Sequence, residues 1–138
     1  MAVSKTIHVD AAGRQLHRLR CTFASASGTT VEELKVDEHL PAACVLTQVH
    51  TYGVSGSCTN YRTDIHEAVE SQSTVPAGAA MLFQEVSTAK ASQANTARIG
   101  GMVALDSGRS LYVRLVPDGS SDNAGTVDVY VIPTIGGV

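Results

Sequence analysis

Four side chains in the middle of the sequence have the chemistry of zinc ligands, namely Cys44, His50, Cys58 and His66. Thiolate and imidazole groups bind zinc when they meet around one ion in a characteristic spacing, and the intervals here match no zinc-finger pattern. The alternation also puts Cys44 and His50 on one face of one predicted strand, three same-face steps apart. Each such step is about 7 Å, so the two side chains are too distant to share an ion. The sequence therefore predicts no bound metal.

Other constellations of catalytic or ion-binding type are incomplete. Ser55 and Ser57 lie in a Gly/Ser turn, and the sequence contains no Gly-x-Ser-x-Gly elbow. Residues 118–125 carry oxygen-bearing side chains at the first, third and fifth places of a calcium-type loop. Asn123 stands where that loop needs Gly, and Val129 where it needs Glu. A polar hairpin loop is the simpler interpretation. We therefore expect no catalytic residue, no cofactor and no enzymatic activity.

Two groups of side chains could contact a partner. One flanks the predicted loop 53–60, where exposed Tyr and Arg side chains can form a sugar or protein contact, although such tyrosines also cap the edge of a core. The other is the one basic cluster of the chain, which is either a contact for an acidic surface or a solvated strand face. The candidate contact residues are Arg14, Arg18, Arg20, Tyr52, Tyr61 and Arg62.

Composition narrows the class of protein. The 138 residues fit one domain, residues 1–138, and 43% of them are hydrophobic, yet Trp is absent and Phe occurs twice. Charged residues make up 17% and the net charge is −3, which argues against a nucleic-acid partner. Low charge is also a mild sign of burial in an assembly. No apolar run is long enough for a membrane span, and the first residues lack a signal-peptide core, so we expect synthesis in a host cytoplasm.

The elements that would position these residues are short strands. Residues 110–116 and 126–132 alternate cleanly between apolar and polar, and residues 99–105 do so weakly. Turn-forming residues 106–109 lie between 99–105 and 110–116, which predicts a hairpin there. Further strands are predicted at 3–9, from Leu19 to the 25–28 turn, and at 43–54, 62–69 and 79–83. We predict an all-β, two-sheet antiparallel sandwich, jelly-roll-like, with about eight or nine strands.

Two segments stay open at this stage. Residues 30–36 fit either a short strand or a helix, because Thr30 and Glu33 have the spacing of a capping box. Residues 84–98 are rich in Ala, which permits a helix, while a strand to about Ala91 followed by a loop is equally compatible with the pattern.

The C-terminal half resembles the trimeric jelly rolls of the C1q and tumour-necrosis-factor type. The turn and strand at 74–83, the hairpin pattern at 101–115 and the final strand 126–133, which ends at a Pro, follow that family's order. Arg109 stands where the family has Asp, and most of the family's core aromatic residues are missing. The resemblance implies a homotrimer.

In size and composition the chain is also similar to the decoration, or cement, proteins of tailed-bacteriophage capsids. That likeness implies a viral structural protein on the capsid surface of a virion, with itself and the major capsid protein as partners and with no nucleic-acid or membrane partner. The alternative is a carbohydrate- or ligand-binding β-sandwich module, such as a head-fibre or adhesion domain.

Overall fold

The protein consists of β-strands joined by turns and loops. The computed structural model describes residues 2–28, 32–36, 43–68, 80–84, 88–90, 96–105 and 110–134. Ten strands lie in these ranges, and no α-helix does. They are β1 (Ala2–Val9), β2 (Gln15–Ala26), β3 (Glu32–Lys35), β4 (Cys44–Ser55), β5 (Asn60–Ala68), β6 (Ala80–Gln84), β7 (Thr88–Ala89), β8 (Thr96–Leu105), β9 (Ser110–Pro117) and β10 (Asn123–Pro133).

The strands form two antiparallel sheets. Sheet A has the order β1-β2-β10-β4-β8, and sheet B has the order β3-β9-β5-β6, with the two-residue β7 also paired to β5. Most successive strands lie in opposite sheets, so the chain wraps around the sandwich in the manner of a jelly roll. The predicted all-β, two-sheet jelly-roll-like class is confirmed.

The predicted hairpin between residues 99–105 and 110–116 is wrong. Both strands exist, but β8 pairs with β4 in sheet A, whereas β9 pairs with β3 and β5 in sheet B. An alternating pattern identifies a strand and its buried face, yet it carries no information about which strand is the neighbour. The predicted turns at 75–78 and 106–109 lie outside the described residues.

One hairpin does join neighbours in sequence, at the start of sheet A. Asp10 Oδ1 accepts hydrogen bonds from the backbone N–H groups of Ala12 and Arg14, each at 2.9 Å. Gly13 closes the turn with a φ of 81°, a left-handed conformation that side-chain-bearing residues rarely adopt. The predicted turn at 10–13 is therefore confirmed, and it fixes β1 as the antiparallel neighbour of β2.

The core lies between the sheets and is mainly aliphatic. From sheet A it receives Leu19, Cys21, Phe23, Leu46, Val49, Val127, Val129 and Val131; from sheet B it receives Leu34, Tyr61, Ile65, Leu111, Val113 and Leu115. Burial of each large apolar side chain contributes roughly 1.5–3 kcal/mol relative to exposure. One polar contact crosses this interior, where the hydroxyls of Thr51 and Thr63 lie 2.5 Å apart, both fully buried.

Strand β4 departs from the predicted regular alternation. Cys44 and Leu46 face the core, but so do Val49 and Thr51, because Thr47 is an extra residue relative to β10. Its hydroxyl donates to the carbonyl oxygen of Tyr130 at 3.2 Å. The bulge shifts the residues before Thr47 to the opposite face from the one that the alternation predicts. Cys44 therefore faces inward and His50 faces outward, and the prediction that they share a face is wrong.

The segments left open by the sequence take these forms. Residues 32–35 form strand β3, so the strand interpretation of 30–36 is confirmed over the described part, whereas Thr30 lies outside it. Within 84–98, Thr88–Ala89 is a strand and residues 96–98 begin β8; 85–87 and 91–95 lie outside the described residues. The predicted run 79–83 appears as β6 (Ala80–Gln84), in which Leu82 and Phe83 pack against the core and Met81 is exposed.

Candidate functional site: the outer face of sheet A

The side of sheet A that points away from the core carries an ordered polar and aromatic surface, which we call the outer face. In the register of the central strands, Arg20 lies opposite Asp128, and Asp128 lies opposite His50. One step along, Arg18 lies opposite Tyr130, and Tyr130 lies opposite Gln48. The outer face is formed by Arg18, Arg20, Gln48, His50, Tyr52, Asp128 and Tyr130.

Asp128 is the centre of this surface and is almost fully buried, with 3% of its side chain exposed. Its Oδ1 accepts from Arg20 Nε at 3.0 Å, and its Oδ2 accepts from Arg20 Nη2 at 3.1 Å. The same Oδ2 accepts from the Tyr52 hydroxyl at 3.1 Å. A planar guanidinium matches a carboxylate in this two-pronged way and fixes both groups in one geometry. Strands β2, β10 and β4 are thereby joined through side chains as well as through the backbone.

The electrostatics of the cluster agree with this geometry. The hydrogen bond with Asp128 raises the pKa of Arg20 above its ordinary value, which already keeps the guanidinium charged at neutral pH. Burial, followed by the neighbouring Asp128 carboxylate, raises the pKa of the Tyr52 hydroxyl. Tyr52 therefore stays protonated at neutral pH and acts as a hydrogen-bond donor, as its contact with the carboxylate requires.

Aromatic contacts add to the order of this surface. The rings of His50 and Tyr52 are 4.9 Å apart between centroids and are tilted by 34°. The Arg20 guanidinium carbon lies 5.8 Å from the centroid of the Tyr52 ring, within the range of a cation–π contact. Tyr52 is consequently held by its hydroxyl and by its ring. A tyrosine fixed in this way loses little conformational entropy when a partner binds to it.

The predicted basic cluster divides into two places. Arg18 and Arg20 both lie on the outer face, and Arg18 Nη2 donates to the Thr6 hydroxyl at 3.3 Å. Arg18 Nε is buried without a hydrogen-bond partner in the part of the chain described. Arg14 lies instead on the β1–β2 turn, where its Nε pairs with Asp10 at 2.7 Å in an exposed position.

The predicted cluster around the loop 53–60 does not form one site. Tyr61 is 1% exposed and belongs to the core. Arg62 points to the outside of sheet B, where its Nε lies 3.2 Å from both carboxylate oxygens of the buried Asp64. Tyr52 lies on sheet A, on the other side of the sandwich. Of the three, Tyr52 alone contributes to the outer face.

The three cysteines of the chain, two of which were considered as metal ligands, are buried. Cys21, Cys44 and Cys58 are buried free thiols, and burial raises the pKa of Cys21 to about 12 and that of Cys44 to about 11. A thiol with such a pKa is a poor nucleophile, because the thiolate is the reactive form. Among the described residues, no three His, Cys, Asp or Glu side chains are grouped as a metal site.

The loop that resembled a calcium site uses its oxygen atoms to bind the neighbouring β4–β5 loop. Asp118 accepts from the backbone N–H of Thr59 at 2.8 Å and from that of Asn60 at 3.1 Å. Asn123 Oδ1 accepts from the backbone N–H of Cys58 at 3.0 Å. These bonds fit a polar loop at 118–125, but the predicted hairpin is wrong, because β9 lies in sheet B and β10 lies in sheet A.

Sequence reasoning missed Asp128 and Tyr130. Both alternate with the valines of the run 126–132, and residues on the polar side of such a run are normally exposed to solvent. Their proximity to Arg20 and Arg18 depends on β10 pairing with β2, more than 100 residues earlier in the chain, which the pattern does not reveal. A carboxylate within an otherwise apolar and hydroxyl-bearing strand was the one available signal.

Comparisons with known proteins add no relative to these observations, so the outer face is the main source of functional information. Among the described residues, no helix has the length and hydropathy needed to cross a bilayer. The chain matches no model of a known protein family, and a search of curated proteins finds no match either.

Proposed function

We propose that this chain is a non-enzymatic structural protein of a virion: a decoration protein that forms homotrimers and binds the surface of a bacteriophage capsid. The observation that carries the proposal is the outer face of sheet A. Two of the four tyrosines of the chain, Tyr52 and Tyr130, lie there together with Arg18 and Arg20. Tyrosine and arginine are the residue types that, with tryptophan, dominate binding energy at protein interfaces.

The state of Asp128 also supports an interface over a catalytic site. A general base must be able to reach a proton of the substrate. Both oxygens of the Asp128 carboxylate instead accept hydrogen bonds from Arg20 and Tyr52, and the side chain is nearly inaccessible. Its arrangement fits a group that keeps neighbouring side chains rigid for contact with another protein.

The trimeric and capsid-bound parts of the proposal rest on further support. The jelly-roll fold is the architecture expected from the resemblance to trimeric jelly rolls, and it also occurs among viral capsid proteins. The charged fraction of 17% is low for a small protein whose whole surface faces water. On a capsid, weak contacts repeated by three linked subunits would bind with high effective concentration.

Sedimentation of matched arginine variants tests the interface. The wild-type protein should sediment at three times the 14.4 kDa chain mass or at a multiple of that trimer mass. Arg18→Ala, on the outer face, should weaken this assembly, whereas Arg14→Ala, which removes the same charge from the β1–β2 turn, should leave it intact. A monomer at high micromolar concentration, or equal behaviour of the two variants, would contradict the proposed interface.

Capsid binding needs a separate experiment. The protein should co-sediment with shells assembled from the coat protein of the genome that encodes it. Arg18→Ala should bind those shells less well than Arg14→Ala, because a weakened trimer loses the effective concentration of three linked subunits. Absence of binding to the shells would refute the decoration role even if the protein is a trimer.

A carbohydrate-binding module is the second candidate function, favoured by the His50–Tyr52 ring pair. An amphipathic ring held firmly at a surface can take part in sugar recognition, with Arg20 nearby as a hydrogen-bond donor. Retention on immobilised glycans that is lost in Tyr52→Ala, without any binding to shells, would favour this function over the first.

A further inference from the structure

Strand β1 lies at the edge of sheet A and lacks most of the features that prevent an edge strand from pairing with a strand of another molecule. It pairs with β2 over its whole length, from Ala2 opposite Thr22 to Val9 opposite Gln15, with no bulge. Among the described strands it has no second neighbour, so one row of its backbone N–H and C=O groups is unpaired. It contains no proline, and Lys5 is its one charged residue other than histidine. Long flat edges of this kind are templates for pairing with another strand.

The side chains of β1 are also unusually exposed for an eight-residue strand. Val9 is 60% exposed and Ile7 is 45% exposed, and both point to the same side as the core residues of β2. Val3, on that same side, is half-buried and packs against the core. The strand thus starts at the edge of the core and then extends beyond it, leaving two large apolar side chains in contact with water.

We propose that β1 of one copy pairs with β1 of a second copy, antiparallel, about a two-fold axis that passes beside Thr6. The two sheets A would then form one continuous sheet across the pair of molecules. A second copy is the favoured occupant because the sequence of the strand is complementary to itself in this register, as the pairing of individual residues shows.

A two-fold axis perpendicular to the sheet places the odd-numbered side chains of both copies on the same side of the sheet. Directly opposite residues also lie on the same side, so odd positions must pair with odd positions and even with even. With Thr6 opposite Thr6, Val9 lies opposite Val3 and Ile7 lies opposite Lys5. The exposed Val9 of each copy thereby extends the core edge that begins at Val3 of the other. Seven residues, 3–9, pair along the strand, and a Thr–Thr pair at the centre is a favourable cross-strand combination.

Lys5 selects this register over its neighbours. A register centred on Lys5 would set two ammonium groups directly opposite each other, which is destabilising. A register centred on Ile7 pairs only five residues of the strand. In the Thr6 register the two lysines are diagonal to one another, so their long side chains can extend apart into solvent. The pairing uses the backbone edge of β1, so this inference does not depend on the proposed function, although the Thr6 hydroxyl accepts a hydrogen bond from Arg18 of the outer face.

Cysteine cross-linking tests the register directly. Antiparallel partners have Cα atoms about 4.5–5.5 Å apart, a distance that a disulfide spans. Under mild oxidation, Thr6→Cys should form a covalent dimer about 100-fold faster than Ser4→Cys, because the paired thiols react at millimolar effective concentration. Ser4→Cys is the matched control, since in this register its partner is His8. The native thiols are buried and should not interfere.

Two further variants complete the test. The double variant Ser4→Cys with His8→Cys should cross-link as fast as Thr6→Cys, because each new thiol then faces the other across the axis. Thr6→Lys, at an exposed position, should abolish the two-fold pairing, seen in sedimentation as a halved mass, without loss of the folded state. Equal and slow cross-linking of all single variants would overturn the pairing, and fastest cross-linking at Lys5→Cys or Ile7→Cys would overturn the register.

Discussion

Asp128 connects three strands of sheet A through its side chain. It lies on β10 and accepts hydrogen bonds from Arg20 on β2 and from Tyr52 on β4. A carboxylate this deeply buried is tolerated only while its partners remain, since an unpaired buried charge is strongly destabilising. The outer face therefore depends on a small number of side chains, whose removal has measurable effects.

Truncation of Arg20 should destabilise the protein, because it leaves the buried Asp128 carboxylate without its charged partner. Arg20→Ala is expected to lower the free energy of unfolding by about 2 kcal/mol, near the bottom of the usual range for a broken buried pair, because Arg20 is itself 39% exposed and screened by solvent. In the double variant Arg20→Ala, Asp128→Ala the combined loss should be smaller than the sum of the single losses. Urea denaturation gives all three values, and strict additivity would contradict the coupling.

His17 makes stability depend on pH. Its side chain is 5% exposed, its Nδ1 has no hydrogen-bond partner in the described part, and its Nε2 lies 2.9 Å from Gln15 Oε1. Burial, followed by the charge of Lys5, lowers the pKa of His17. The unfolded chain therefore binds a proton more readily than the native state, and the stability present above about pH 6.5 should decline as the pH falls.

A variant without His17 tests this dependence of unfolding free energy on pH. His17→Phe should flatten the fall in unfolding free energy between pH 7.5 and pH 5.5, because the folded state no longer excludes a proton at this position. His8→Phe, on the exposed strand β1, is the matched control and should retain the wild-type slope. Urea titrations at several pH values provide the comparison, and an unchanged slope in His17→Phe would show that another group is responsible.

At the scale of elements, β4 shows what limits a prediction from pattern. Its extent was predicted to within a residue or two, because Val, Leu and Thr alternate along it. The expectation that Cys44 and His50 share a face was wrong, since the bulge at Thr47 shifts the phase by one residue and nothing local marks that position. In β2 the alternation holds from His17 to Phe23, and in β10 the core residues Val127, Val129 and Val131 keep it.

The contact between β4 and β5 offers a test at this scale. The hydroxyls of Thr51 and Thr63 satisfy one another inside the core, so removal of one leaves the other without a partner. Thr51→Val should cost roughly 1–3 kcal/mol of stability, whereas Thr51→Val combined with Thr63→Val should restore most of it, because both groups are then apolar. Thermal or urea unfolding measures the cycle, and a double variant worse than either single one would refute the interpretation.

At the scale of the whole molecule, the central position of β10 determines which distant strands become neighbours in sheet A. It lies between β2 and β4 in the middle of sheet A, whereas β1 lies at the edge and packs through Val3. The fold class was predictable from the number and spacing of strands. The composition of the outer face was not, because it depends on which distant strands become neighbours.

Two truncations of similar size should therefore have opposite outcomes. Deletion of residues 2–9 is expected to leave a folded protein with reduced stability, since most side chains of β1 are already exposed. Deletion of residues 123–133 should abolish folding, because it removes the core side chains of Val127, Val129 and Val131 and separates β2 from β4. Circular dichroism and resistance to protease distinguish the two states, and a folded chain without β10 would contradict the topology.

The central place of β10 also bears on synthesis in the cell. β2 and β4 are synthesised well before β10. At a translation rate of roughly 5–20 residues per second, the delay is on the order of several seconds. Throughout that interval the nascent chain presents two strand edges with a gap between them that no earlier segment fills. Sheet A consequently cannot be completed before β10 has been synthesised, and until then the unpaired edges of β2 and β4 are surfaces to which chaperones can bind.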